Sequence, residues 1–265
     1  MVSKQAKQGQ KITKQKSGFI RAKSDFFRTA RYGLTLQEHR IVYYAILRGQ
    51  QEGRPFEPIT VSIQEFKEMF ELKGQSSYSI VRNLSKKLTT KSVEILYKDH
   101  HGIQLMQAPW ILSIIYHARE GNVTITPNPA LKVFFEGKPF TQTEFAFLIK
   151  FNSQYAERLY EILKSLVYKN IIDFEIGDLR KRLGIGKKQY LNYTDLRRRM
   201  LNPAIKDINE FTDLDVSLQD KERGKYNKVE KVYFIISKKD NYIPLANRIK
   251  RGDFAPPLSE NEQKQ

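Results

Sequence analysis

Apolar positions along this chain recur in one order of elements, twice. In TLQEHRIVYYAILRGQQ (35–51), Leu36, Ile41, Tyr44, Ala45 and Leu47 make an apolar stripe at helical spacing. Thr35 stands as N-cap with Glu38 three residues on, the spacing of a capping box. Residues 59–63 alternate as a short strand. Ser62 with Glu65 repeats the capping signal before a short helix at 64–72, stopped by Lys73-Gly74. A helix from Ser76 or Ser77 to Leu88 follows, with Val81, Leu84 and Leu88 inward and Ser79, Arg82, Ser85 and Lys86 outward. Residues 93–97 and 103–116 are predicted as strands joined by the turn Lys98-Asp99-His100-His101-Gly102, with a third strand at 123–126. Helix, short strand, helix, basic helix and β-hairpin is the order of a winged helix, whose last helix is placed to enter a groove.

From 127 to 139 the pattern breaks, with a short helix predicted at 131–135. Residues 140–151 alternate as a strand or an extended connector, and the module boundary falls near Asn152, a candidate N-cap. The order then returns. SQYAERLYEILKSLVYK gives an amphipathic helix with Tyr155, Leu159, Ile162, Leu163 and Leu166 inward. A strand at 171–176 and a short helix at 176–183, ended by Gly184, lead to KKQYLNYTDLRRRMLNPAIKDINEFT (187–212) as the next helix. Strands at 214–218 and 229–236 close the unit around a turn at 220–228. Two copies of one unit with almost no shared sequence are architectural evidence in themselves. The expected fold is α+β: two tandem winged-helix domains at 19–151 and 152–240. They are flanked by a basic N-terminal arm (1–18) and a tail (241–265), both expected to be disordered.

The helix at 187–212 carries the sharpest candidate chemistry. At about 100° per residue, Leu196, Met200, Leu201, Ala204, Ile205 and Ile208 share one face, and Asp195, Arg198, Arg199, Asn202, Lys206 and Asn209 fall opposite. Arg197 lands on the apolar side, where its charge snorkels or pairs with a carboxylate. Arginine bonds guanine bidentately, asparagine bonds adenine and lysine neutralises phosphate, so such a face suits a DNA major groove. It equally suits a solvated surface helix. Pro203 predicts a kink within the helix, or else a helix that starts later and leaves Arg197–Arg199 in a loop.

Charge favours the groove. The chain carries a formal +17 at a pI near 9.8, which predicts a polyanionic partner, nucleic acid before membrane. Between Asp178 and Lys206, the basic residues Arg180, Lys181, Arg182, Lys187, Lys188, Arg197, Arg198, Arg199 and Lys206 meet only Asp178 and Asp195, a net +7 over 29 residues. A solvated face would intersperse the signs. The DNA-facing set is therefore Lys187, Lys188, Tyr190, Asn192, Tyr193, Thr194, Asp195, Arg198, Arg199, Asn202 and Lys206. Lys221, Arg223, Lys225 and Lys228 in the last turn form a wing along phosphates or in a minor groove, or a plain hairpin tip. Ser77, Tyr78, Arg82, Lys86 and Lys87 offer a milder basic surface in the first module, suited to phosphate contact or simple exposure.

Other classes find little support. The chain has no cysteine, which excludes disulfides, thiol chemistry and cysteine-based zinc sites and fits a reducing cytoplasm. No apolar run approaches a membrane span, and the lysines at 4–16 have no apolar core behind them, unlike a signal peptide. Gly184-Ile185-Gly186-Lys187 lacks the spacing and the Ser/Thr of a phosphate loop. His100 and His101, adjacent on a turn, are expected to point apart rather than share a metal, and no His-x-His pair suits a rolling-circle nuclease. No enzyme activity, cofactor or metal is expected.

Three stretches, LTLQEHRIVYYAIL (34–47), AERLYEILKS (156–165) and YTDLRRRMLNPAIKDINEFTDLDV (193–216), resemble the initiator (Rep) proteins of theta-replicating, iteron-containing plasmids. The resemblance covers about 19–240 and implies two winged helices that bind directly repeated iterons at an origin as a monomer. It further implies a homodimer, formed through the first domain, that binds an inverted repeat and represses its own gene. Origin opening and recruitment of a host initiator and helicase, without nucleotide hydrolysis, follow from the same resemblance. Carried over by position, Arg198 and Arg199 read bases, with Asn192 and Asp195 at the helix start; Asn192 stands where a basic residue is more usual. A two-domain transcriptional repressor with no replication role would use the same surface.

Overall fold

The computed structural model describes residues 18–70, 76–220, 229–240 and 242–243. The basic arm, most of the tail, the Lys73-Gly74 stop and the wing residues Lys221, Arg223, Lys225 and Lys228 lie outside the described residues.

The first module opens with strand β1 (Phe19–Lys23) and helix α1 (Ser24–Thr29), followed by α2 (Leu36–Gln51), β2 (Ile59–Ser62), α3 (Ile63–Met69) and α4 (Ser77–Leu88). Strands β3 (Ser92–Asp99), β4 (Gly102–Pro109), β5 (Ile111–His117) and β6 (Asn122–Pro127) follow, then a 3-10 turn (Pro129–Phe134), β7 (Phe140–Glu144) and α5 (Phe145–Lys150). The second module comprises α6 (Gln154–Leu166), β8 (Ile171–Glu175), α7 (Ile176–Arg182), a helical run at 193–211, β9 (Leu214–Asp220) and β10 (Lys231–Lys238). The repeat is visible in the sheets: β2-β6-β5 in the first module and β8-β10-β9 in the second, both antiparallel. Each of these sheets thus pairs its first strand in the chain with its last. Ribbon β1–β7 ties the first module's entry to its exit.

Local signals account for the helix starts. Thr35 and Glu38 form the reciprocal capping box, with Glu38 N–H donating to Thr35 Oγ1 at 3.4 Å and Thr35 N–H to Glu38 Oε2 at 2.8 Å. Ser62 and Ser76 cap α3 and α4 through the backbone N–H groups of Glu65 and Ser79. Ser153, not Asn152, caps α6; Asn152 instead donates its backbone N–H to Asp207 at 3.0 Å.

Three expectations fail, the first two for tertiary reasons and the third for a local one. The strand at 103–116 is two strands, because Pro109 has no N–H to continue the ladder and Trp110 turns inward. The Trp110 indole is 1% exposed, packed edge-on against Phe26, Tyr32 and Tyr43. β3 and β4 form a two-stranded sheet of their own while β5 joins β2 and β6, so β3–β4 is an inserted hairpin and the strands that match the second module's hairpin are β5 and β6. The stretch at 140–151 is strand only to Glu144; Phe145, Ala146, Phe147 and Leu148 are all buried, and the run continues as α5. His100 and His101 do not point apart: their ring centroids lie 3.8 Å from each other on the exposed β3–β4 tip.

One hydrophobic core runs through both modules, and the junction also holds buried charge. Glu157 and Glu161 of α6 are 0% exposed and Arg158 is 2% exposed. His39 of α2 meets Glu157 at 2.7 Å through Nδ1 and Glu161 at 3.4 Å through Nε2. Arg158 donates to Glu161 at 3.2 Å, to the Ala30 carbonyl at 2.5 Å and to the Arg182 carbonyl at 3.0 Å, with its guanidinium over the Tyr32 ring. Tyr32 Oη donates to Glu161 at 2.8 Å. Arg40 lies 3.7 Å from Glu157, Arg28 donates to the Ser165 carbonyl at 2.7 Å, and Arg182 donates to the Arg28 carbonyl. Each module therefore supplies charges that the other must satisfy.

Burial alone would pull His39 down, but the Glu161 and Glu157 carboxylates outweigh it and raise the imidazole from 6.5 to about 9. A folded-state value above the unfolded one adds stability that is fully present below pH 6.5 and is lost as pH rises through about 9. Unfolding by urea is expected to show stability falling across this window by an amount on the order of a few kcal/mol. In His39→Gln the slope between the two pH values should vanish.

Candidate nucleic-acid interface

The second module's basic face begins at the corner after α7. Gly184 adopts φ +66 and turns the chain against the first module's Tyr32 backbone. Residues 187–191 are not helical, contrary to the sequence expectation. Arg180 reaches back from α7 and donates to the carbonyls of Gln189 at 2.6 Å and Tyr190 at 2.7 Å. Tyr190 sits at φ +46 with its ring edge-on to Tyr155, centroids 6.0 Å apart. Its ring is thus docked inward, while Lys187 and Lys188 are exposed.

Asn192 is the N-cap of the helical run. Its side chain accepts from Asp195 N–H at 2.7 Å and donates to Asp195 Oδ2 at 3.0 Å. The run consists of α8 (Tyr193–Leu196), a π-helical turn (Arg197–Leu201) and α9 (Asn202–Phe211). Pro203 neither breaks the helix nor leaves the arginines in a loop. The π turn precedes it, with Asn202 N–H donating to the Arg197 carbonyl five residues back, so the register shift falls where the proline would otherwise leave a gap.

The helix divides as the projection requires at most positions. Leu196, Met200, Leu201, Ala204 and Ile208 are buried, and Thr194, Arg198, Arg199, Asn202 and Lys206 are exposed. Arg197, expected on the apolar side, is half-buried. Arg198 lies 3.3 Å from Asp195 but is 71% exposed, a pairing weak enough to yield to a stronger partner. Asn209 departs from the expectation: its amide donates to the Val216 carbonyl at 2.9 Å and accepts from Val216 N–H at 2.7 Å, pinning the helix to β9.

Several charges counted in the sequence are therefore architectural. Arg180 holds the 187–191 loop, and Arg182 pairs with Asp178 at 2.6 Å while bonding across the junction. Lys181, Lys187, Lys188, Arg198, Arg199 and Lys206 remain exposed, and Tyr193 is half-buried. On α4 of the first module, Tyr78 is 64% exposed and Arg82, Lys86 and Lys87 are exposed, with Ser77 half-buried at the helix start. Sequence reasoning missed Leu191, which is 79% exposed immediately before the Asn192 cap, because it drew the helix through that residue. No group of His, Cys, Asp or Glu among the described residues could hold a metal ion, and none of their helices is long and apolar enough to cross a membrane.

Comparison with known proteins gives concordant matches to both modules. The family model described as initiator replication protein, WH1, matches residues 20–164, and that described as initiator Rep protein, WH2, matches residues 175–236. A replication initiation protein of Escherichia coli is 22% identical over 194 residues, covering 70% of this chain. The match spans 60% of that relative's length. The crystal structure of the Pi initiator protein in complex with iteron DNA superimposes with a TM-score of 0.59 at 17% identity, covering 84% of this chain and 98% of that one. Two tandem winged helices are the fold common to both.

Proposed function

The chain belongs to the initiator replication protein family, and on that premise we propose that it binds the direct repeats of a replication origin as a monomer and opens the adjacent duplex. One observation carries this reading: Thr194, Arg198, Arg199, Asn202 and Lys206 stand exposed on one side of a helix whose other side is core. Winged helices insert such a helix into the major groove, where arginine and asparagine match guanine and adenine edges. The exposed face of α4 adds phosphate contacts from the first module, and the wing lysines and arginines at 221–228 add more. A homodimer formed through the first module represses the protein's own gene from an inverted repeat. Host initiator and helicase are then recruited to the opened origin. The protein works by binding and deforming DNA in the cytoplasm, with no bond-making chemistry of its own.

A plasmid carrying only this gene, its flanking DNA and a selectable marker tests the replication role. It should be maintained in a permissive host and lost when Arg198 is changed to alanine. A wild-type plasmid that fails to replicate while its product still represses the gene's promoter would identify a repressor instead.

A further inference from the structure

The exposed side of the second module's helical run keeps a spacing that a plain α-helix cannot keep in line. Thr194, Arg198, Asn202 and Lys206 are all exposed, at steps of four residues. Leu196, Met200, Ala204 and Ile208 are buried at the same step, each at most 2% exposed. An α-helix turns about 100° per residue, so each step of four overshoots a full turn by about 40°. Three such steps would swing Lys206 about 120° around the helix from Thr194.

The π turn at Arg197–Leu201 takes up that drift. Its wider loop, closed by Asn202 N–H donating to the Arg197 carbonyl five residues back, adds one residue to a turn. The added residue sets the second half of the run back by about 100°, which nearly cancels the accumulated drift. Both columns therefore stay straight across the turn, and Met200 and Leu201 are buried side by side within it.

Pro203 supplies the reason for the turn. It has no N–H to give the Arg199 carbonyl four residues back, and in a plain α-helix its ring would collide with that carbonyl. Widening the turn just before it removes the conflict. The far end of the run is fixed by the Asn209 bonds to Val216, and its start by the Asn192 cap on Asp195. With both ends held, the turn decides how Arg198 sits relative to Asn202 and Lys206. We propose that Pro203 is a positioning residue for base reading: it holds the π turn that keeps Arg198 in line with Asn202 and Lys206, so that one groove meets all three. The inference rests on the base-reading function proposed above.

The full-length chain selects its preferred duplex from a random pool, and Pro203→Ala is then measured on that duplex and on a random one. Alanine returns the missing donor and removes the ring, so the thermal midpoint should hold or rise. Affinity for the preferred duplex should nonetheless fall about tenfold, the size of one lost base contact, with the random duplex unaffected. The variant's own selection from the pool should return a sequence changed over part of the site. Wild-type affinity and sequence preference in Pro203→Ala would overturn the proposal. So would a lowered midpoint with equal losses on both duplexes, the mark of a merely structural proline. If the wild-type chain selects no sequence at all, base reading itself fails, and the role of Pro203 with it.

Discussion

Replacing Arg158 by methionine is expected to lower the unfolding free energy by about 3–5 kcal/mol, the cost of breaking a buried ion pair from one side. The side chain is 2% exposed and is the shared partner of Glu161, of the Ala30 carbonyl and of the Arg182 carbonyl. Its loss leaves a fully buried carboxylate facing His39 and tyrosine hydroxyls with no full positive charge beside it but the imidazolium, and strips two carbonyls of a donor. Removing both charges together costs less than removing one. Arg158→Met with Glu161→Gln should therefore recover much of the loss, a non-additivity that urea unfolding of the single and double variants reads directly. A single variant within 1 kcal/mol of wild type would mean that the junction charges are solvated and the modules loosely joined.

Gly184→Ala should separate the modules rather than weaken either one. A Cβ at this position would stand 2.2 Å from the Tyr32 carbonyl oxygen and 3.1 Å from its carbon, and the φ of +66 adds backbone strain. Both obstacles are backbone, so the corner between α7 and the basic helix must move away from the first module. Stability is expected to fall by several kcal/mol, within the upper range for strain and overpacking. Affinity for a preferred duplex should fall by about tenfold or more as the two basic faces lose their common register. Gly177→Ala is the matched control. It lies in α7 with nothing within 4 Å of the added Cβ, and should instead stabilise by about 0.5–1 kcal/mol.

The contrast between those two glycines illustrates what sequence made legible. The doubled element order was readable because caps and apolar stripes are local: Thr35 with Glu38, Ser62 with Glu65, and the Leu159–Leu166 stripe all carry their meaning within a few residues. The junction was not readable by the same means. In AERLYEILKS the Glu157, Arg158 and Glu161 positions have the spacing of a solvated face, and only the docking of the first module on that side makes them core. Trp110 likewise ends a strand through contacts with Phe26, Tyr32 and Tyr43, distant in the chain.

Within the candidate site, the same division holds. Exposure of Arg198, Arg199, Asn202 and Lys206 followed from helical periodicity, and so did the burial of the opposite face. The helix start did not, because the Arg180 bonds and Tyr155 contact that hold the 187–191 loop come from other elements. Pro203 predicted a kink, whereas a π turn absorbed it, and Asn209 turned from the outward face to clamp β9.

Base reading by Arg198 is decided by the affinity of Arg198→Ala for the preferred duplex and for a random duplex at one salt concentration. A base-reading Arg198 gives a loss of about 1–3 kcal/mol on the preferred duplex and little change on the random one. Lys188→Ala, by contrast, should weaken both alike and lower the salt dependence. Equal losses on the two duplexes for Arg198→Ala would rule out base reading and reduce this face to a phosphate-binding surface.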